Sequence, residues 1–142
     1  MSKRILHLFR AGALLAIAVQ AATAAEFQVI ASKDVAATEI SADDLSRIFV
    51  LSKTSLPGSG HVVPVLQKGG PAHQAFLKEC IHKSDPELQE VYKEIVFTGK
   101  GNAPKALASD AAVIAFVSMS KGAIAYVSAS AIPMGVKKLN VK

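Results

Sequence analysis

His61-Val62-Val63-Pro64-Val65-Leu66-Gln67-Lys68-Gly69-Gly70-Pro71 compresses a strand, a turn and the start of a helix into one short run. Val62 to Leu66 is apolar and rich in β-branched residues, and Gly69-Gly70 ends it. Pro71 then brings a ring-fixed φ suited to the first helical position. Behind it, Phe76, Leu77, Cys80 and Ile81 recur at a spacing that sets them on one side of a helix. Because Pro64 cannot donate to a strand ladder, an edge position or a bulge is expected there. A strand that feeds a helix through a glycine turn belongs to an α/β layer fold.

Outward from this unit the alternation continues. On the N-terminal side, Phe27 to Ala31 is a short β-rich run. Ser41-Ala42-Asp43-Asp44 has capping-box spacing, ahead of an apolar helix face of Leu45, Ile48 and Phe49. Leu56-Pro57-Gly58-Ser59-Gly60 reads as a turn. On the C-terminal side, Ser84-Asp85-Pro86-Glu87 caps a helix whose stripe is Leu88, Val91, Tyr92, Ile95 and Val96. The glycine-rich run from Phe97 to Pro104 is an ordered loop. Ser109-Asp110 opens an apolar helix through Val113, Ile114, Phe116 and Val117, and Gly122 beyond it suits a left-handed C-terminal cap. Ala123 to Val127 and Val136 to Val141 complete the strands. The order β, α, β, α, α, loop, α, β, β predicts a small α/β fold with one central sheet flanked by helices.

The chain has 142 residues and a formal net charge of +5, but the excess is concentrated at its start. Lys3, Arg4 and Arg10 stand there without an acid, and the remaining 117 residues carry 13 basic and 11 acidic side chains. No Lys/Arg cluster with interleaved aromatics is left to track phosphates, which excludes a nucleic-acid partner. High apolar content and a single cysteine exclude disorder and a disulfide scaffold. The start has three zones: Lys3 and Arg4, then the uncharged stretch Ala11 to Val19, then the small residues Ala22-Thr23-Ala24-Ala25. Residues 1–25 are therefore expected to be a secretory signal peptide, cut after Ala24 or Ala25, leaving one domain over 26–142. A periplasmic or otherwise exported location follows, without stable membrane insertion of the mature chain. Cys80 has no second cysteine in the chain. It is either buried as a small hydrophobe or free to pair between chains, and its apolar neighbours favour burial.

Enzymatic signatures are missing. Gly58-Ser59-Gly60 lacks the strand-to-helix setting of a nucleophile elbow, and Asp43 and Asp44 fit a helix cap better than a catalytic pair. His61, His73 and His82 match no metal spacing and are expected at the surface or a rim. Cys80, with apolar neighbours that favour burial, is not expected to be a reactive thiol. Around Gly99-Lys100-Gly101, Glu94 and Gly101 occupy the places where a nucleotide P-loop needs Gly and Ser or Thr, which leaves a loop at a cleft rim or tight packing between two helices, with packing favoured. The chain is read as a non-enzyme without a cofactor.

Four stretches together carry a family resemblance: residues 40–49, Val62-Val63-Pro64-Val65, Ile95 to Gly101 with its Phe-Thr-Gly-Lys-Gly, and Val113 to Val127 with its Gly122-Ala123-Ile124-Ala125-Tyr126-Val127 ending. In these the sequence resembles the phosphate ABC transporter substrate-binding proteins, in short form, over nearly all of Phe27 to Val141. The resemblance implies a single lobe of a type 2 periplasmic-binding-protein-like fold and a role in solute transport. Full-length relatives close two lobes around phosphate and hold it with an Arg and a Ser-Gly-Thr turn after the strand that matches Val62 to Leu66. Here Gln67 stands near the Arg position, and Gly70-Pro71-Ala72 falls where Ser-Gly-Thr would be.

One feature survives those departures. A glycine turn followed by a helix start aims backbone N–H groups and a positive dipole end at whatever lies above it, which favours an anion. The candidate ligand-binding residues are thus Lys68, Gly69, Gly70, Ala72 and His73, with Lys68 adding charge and His73 reaching the same rim. Two functions follow. One is an exported solute-binding-like module that takes phosphate or a similar oxyanion weakly; the other is a ligand-free interaction module that meets a protein partner or its own copy.

Overall fold

Among the described residues, eight strands and four helices follow the order that hydrophobic periodicity sets, four of the strands being only two or three residues long. The computed structural model describes residues 26–142; the expected signal peptide and its cleavage position lie outside the described residues. In chain order the elements are β1 (Phe27–Ala31), β2 (Glu39–Ile40), α1 (Ala42–Phe49), β3 (Ser55–Leu56), β4 (Gly60–His61), β5 (Val63–Gln67) and α2 (Pro71–Phe76). α2 runs on through a wide π-helical turn, Leu77–Ile81. Then come α3 (Asp85–Phe97), β6 (Lys105–Leu107), α4 (Asp110–Met119), β7 (Ala123–Ser128) and β8 (Lys137–Val141).

Six strands form the main sheet in the order β2-β8-β1-β7-β5-β6, and β3 and β4 make a small hairpin. β5 pairs in parallel with both β6 and β7, while β1 runs antiparallel to β7 and β8. Period-2 alternation then divides the core between two faces. Val29, Ala31, Leu66, Ile124 and Tyr126 pack against α1, α2 and α3. Their neighbours Ile30, Val65, Ala123, Ala125 and Val127 pack on the other face with Val113 and Val117 of α4. This is a mixed α/β fold with a central sheet between helices, as the sequence implies.

An aromatic cluster anchors the larger face. The Phe76 ring stacks on Tyr126 with centroids 3.9 Å apart, and Phe27 and Phe49 meet Phe76 edge-on at 5.5 and 4.8 Å. Caps fix the helix starts. Ser84 forms a full capping box with Glu87, and the Ser109 side chain accepts from Ala112 N–H. At α1 only half of the expected box forms: Ser41 accepts from Asp44 N–H, whereas the Asp44 carboxylate turns to Lys53 Nζ at 2.7 Å.

β5 is an interior strand of the sheet, yet Pro64 sits where one side of it is open, as its missing donor leads one to expect: Val63 N–H faces β7, where it donates to Gly122 O, so the side without a donor at Pro64 faces β6, whose first paired residue, Lys105, lies opposite Val65. Two expectations are corrected. Gly122 is left-handed at φ 75°, yet it is the third residue of the turn closed by Ala123 N–H to Ser120 O rather than the cap of α4. Val96 leaves the buried stripe of α3 and is 51% exposed, one residue before the end of a helix whose buried side chains are Leu88 and Tyr92.

Candidate functional site

At the carboxyl ends of β5 and β6 the chain leaves the sheet in two directions, with α2 covering one face and α4 the other. Such a switch point opens a crevice in parallel α/β sheets and is where ligands of these folds settle. Gln67, the last residue of β5, is paired with Leu107 of β6. Lys68 N–H donates to Leu107 O at 2.9 Å, which carries the ladder one residue further and leaves the Lys68 side chain exposed. Gly70 adopts φ 97°, a conformation that disfavours any residue with a Cβ. A Cβ built at Gly69 or Gly70 would meet nothing within 4 Å, so the turn is open above both residues.

The two helices that start at this edge differ. α4 is capped by Ser109 and has Asp110 in its first turn, whereas α2 has Gly70 at its cap position and no side-chain cap. Its first internal hydrogen bond runs from Gln74 N–H to Gly70 O at 3.0 Å, leaving Ala72 and His73 N–H among the donors that a helix cannot pair internally. The turn thus carries backbone N–H groups without an intrahelical partner, with the exposed Lys68 at its margin.

The Gln67 and His73 side chains are engaged elsewhere. Gln67 is buried, and its amide donates to Asp110 Oδ1 at 2.6 Å and to Tyr126 O at 3.3 Å. Both amide protons are thereby spent, and a neutral anchored group stands where the resemblance puts a cation. Asp110 also accepts from Ser128 N–H at 3.0 Å. Burial alone would raise its pKa, but the hydrogen bonds from Ser128 and Gln67 outweigh it and hold the carboxyl below the ordinary aspartate value.

His73 lies inside the protein, 2% exposed, rather than at a rim. Its Nε2 is 2.7 Å from Asp85 Oδ1, and its Nδ1 meets the Tyr126 hydroxyl. With Nε2–H donating to Asp85, Nδ1 accepts from the phenol, whose oxygen in turn accepts Gln67 N–H at 3.1 Å. Burial raises the phenol pKa, so Tyr126 stays a neutral donor. The sequence does hold a signal for this network. His73 precedes Phe76, Leu77 and Cys80 by three, four and seven residues, which places it on the same apolar helix face.

The other singled-out residues are scattered. His61 and His82 are exposed, and Ala72 is buried under the turn. Gly99-Lys100-Gly101 is an exposed loop at the rim of a cleft and is not packed between helices: a Cβ at Gly99 would touch nothing, and one at Gly101 would reach only Ile95. Cys80 is buried and unpaired, and burial, with Glu79 nearby, pushes its thiol up to about 11. Among the described residues, no group of three or more His, Cys, Asp or Glu side chains gathers where it could hold a metal ion, and no helix is long and apolar enough to cross a membrane.

Neither a protein-family model nor a curated protein matches the sequence. Solved structures do match the fold. One is a proposed phosphate ABC transporter substrate-binding protein from Clostridium perfringens with bound phosphate, at 17% identity and TM-score 0.63, covering 82% of this chain and 44% of that one. Another is an ABC-type phosphate transport receptor from Vibrio cholerae, at 12% identity and TM-score 0.60, covering 82% and 46%. A third is PstS from Borrelia burgdorferi, at 15% identity and TM-score 0.61, covering 82% and 47%. At these identities the likeness establishes the fold, and the chain spans less than half the length of these structures.

Proposed function

We propose that this chain is an exported, single-lobe, solute-binding-like module that takes phosphate or a similar oxyanion weakly at the Lys68–His73 turn. The observation that carries this reading is the open, uncapped Gly69-Gly70 turn at the carboxyl ends of two parallel strands. Its support comes from the general preference of such crevices for ligands and of uncapped helix starts for anions. The phosphate transport proteins that share the fold agree in ligand class. Contacts come from backbone N–H groups of Gly69, Gly70, Ala72 and His73, and from Lys68. The His73 imidazole serves the turn from beneath, by holding Tyr126 under Gln67 N–H. Without a bidentate guanidinium, binding is weak and salt-sensitive.

Melting in the presence of phosphate tests this. A ligand at ten times its Kd adds about 1.4 kcal/mol to stability, which raises Tm by about 5 °C in a domain of this size. An unchanged Tm at 50 mM phosphate, against chloride at the same ionic strength, would remove the oxyanion from the reading.

A second reading, a ligand-free interaction module, has its own support. Val96 and Phe97 at the end of α3 are 51% and 93% exposed and border a groove of about 750 Å³. An apolar groove of that kind suits another protein or a second copy of the chain.

A further inference from the structure

At the opposite end of β5 from the glycine turn, four chain segments close around a second cleft of about 480 Å³. Five residues of strand, at about 3.3 Å each, put about 15 Å between the two places. The floor is apolar, made by Val62–Pro64 at the start of β5 and by Ile95 of α3. Val63, 37% exposed, contributes its outer face. Pro64 brings no N–H to this side of the strand, so the floor lacks the donor a sheet would ordinarily present there.

The rim has one sign of charge. Lys53, His61, Lys100 and Lys105 line it, and no Asp or Glu does. Lys53 is neutralised by Asp44 at 2.7 Å, and Lys105 Nζ stands 5.1 Å from the centre of the Phe116 ring. Among the described residues no ion pair engages Lys100, Lys105 or His61. A concave site of this volume, with an apolar base and uncompensated ammonium groups above it, matches a ligand with an apolar body and an anionic head. We infer that this cleft is a binding site for a small organic anion of that kind, an aryl or alkyl phosphonate, phosphate ester or carboxylate, separate from the oxyanion turn.

The geometry assigns roles. Lys100, carried on the exposed Gly99–Gly101 loop, supplies the free charge, and Lys105, at the first residue of β6, lines the cleft while its ammonium stands over the Phe116 ring. The floor at Val63, Pro64 and Ile95 accepts the apolar body and excludes water from beneath it. An inorganic anion cannot use the floor and is left with screened surface charge alone.

The test is an amide-resolved NMR titration of the 15N-labelled protein with phenylphosphonate, with benzyl alcohol and inorganic phosphate as controls. Saturable shifts at Val63, Gly101 and Asn102 are expected with phenylphosphonate and not with either control. The double variant Lys100→Ala, Lys105→Ala alters two exposed side chains and is expected to keep the fold and weaken binding by about tenfold or more. Equal shifts with benzyl alcohol would overturn the proposal, since charge would then play no part. Shifts confined to Gly69 and Gly70 would assign the anion to the turn instead. Absence of any shift at 10 mM, or binding of hexaglutamate in place of phenylphosphonate, would overturn it as well, the latter by making the cleft a peptide site.

Discussion

His73 Nε2 lies 2.7 Å from Asp85 Oδ1 and so ties the helix behind the glycine turn to the first turn of α3. Through Nδ1 the same ring holds the Tyr126 hydroxyl, which supports Gln67 N–H. Replacing either member strands a buried partner. His73→Leu is expected to destabilise the protein by about 1 to 3 kcal/mol, and Tyr126→Phe by a similar amount, because each leaves a desolvated polar group without its hydrogen bond. Urea unfolding of both single variants and the double variant checks the link. The double variant should lose less than the sum of the singles.

Asp110 makes the acid limb of stability specific. Its folded pKa lies below the ordinary value of 3.8, against the opposing effect of burial. The carboxylate therefore contributes stability in full above the unfolded pKa, and the contribution is lost as pH falls through 3.8 toward the lower folded value. Asp34 and Asp44 shift the same way, Asp34 chiefly through Ser32 and Asp44 chiefly through Lys53. Asp110→Asn is expected to flatten part of the fall in Tm below pH 4 while changing the profile above pH 6 by a constant offset. Melting curves across pH 2 to 8 provide the measurement.

Gly122 is constrained twice. Its φ of 75° disfavours any side chain, and a Cβ there would come within 2.4 Å of the His61 carbonyl oxygen. Gly122→Ala is expected to cost more than about 2 kcal/mol, by backbone strain and by displacement of the start of β5. Gly69→Ala, with open space above it and no positive φ, should be tolerated to within about 1 kcal/mol in the same denaturation assay.

Cys80 should be inert in the folded protein. Its side chain is buried, and its thiol is pushed up to about 11, chiefly by burial. Iodoacetamide at pH 8 is expected to label it only after denaturant is added, as followed by intact mass. Rapid labelling of the native protein would contradict the burial.

Much of the architecture is legible from apolar spacing. The helices around Leu45, Leu88 and Val113 and the strands at residues 27–31, 63–67 and 123–128 are all long enough to carry a period. β2, β3, β4 and β6 are two or three residues long and carry none; they exist because neighbouring strands supply partners. The glycine turn could be located, since Gly69-Gly70-Pro71 is local chemistry. What lies beneath it could not: the contacts of Gln67 with Asp110 and of His73 with Tyr126 span 43 and 53 residues. Only the helical spacing of His73 to Phe76 and Leu77 gave a local sign that this histidine turns inward.

Isothermal titration of the wild-type protein with phosphate, repeated for Lys68→Ala and Lys100→Ala, tests the oxyanion turn most directly. The expected outcome is a saturable isotherm with Kd of about 1 mM, weakening as salt rises. Lys68→Ala should weaken it by about threefold to tenfold, the range of an exposed charge, while Lys100→Ala should leave it unchanged. No heat with tens of millimolar phosphate, or equal loss in both variants, would contradict the assignment of the anion to the Lys68–His73 turn.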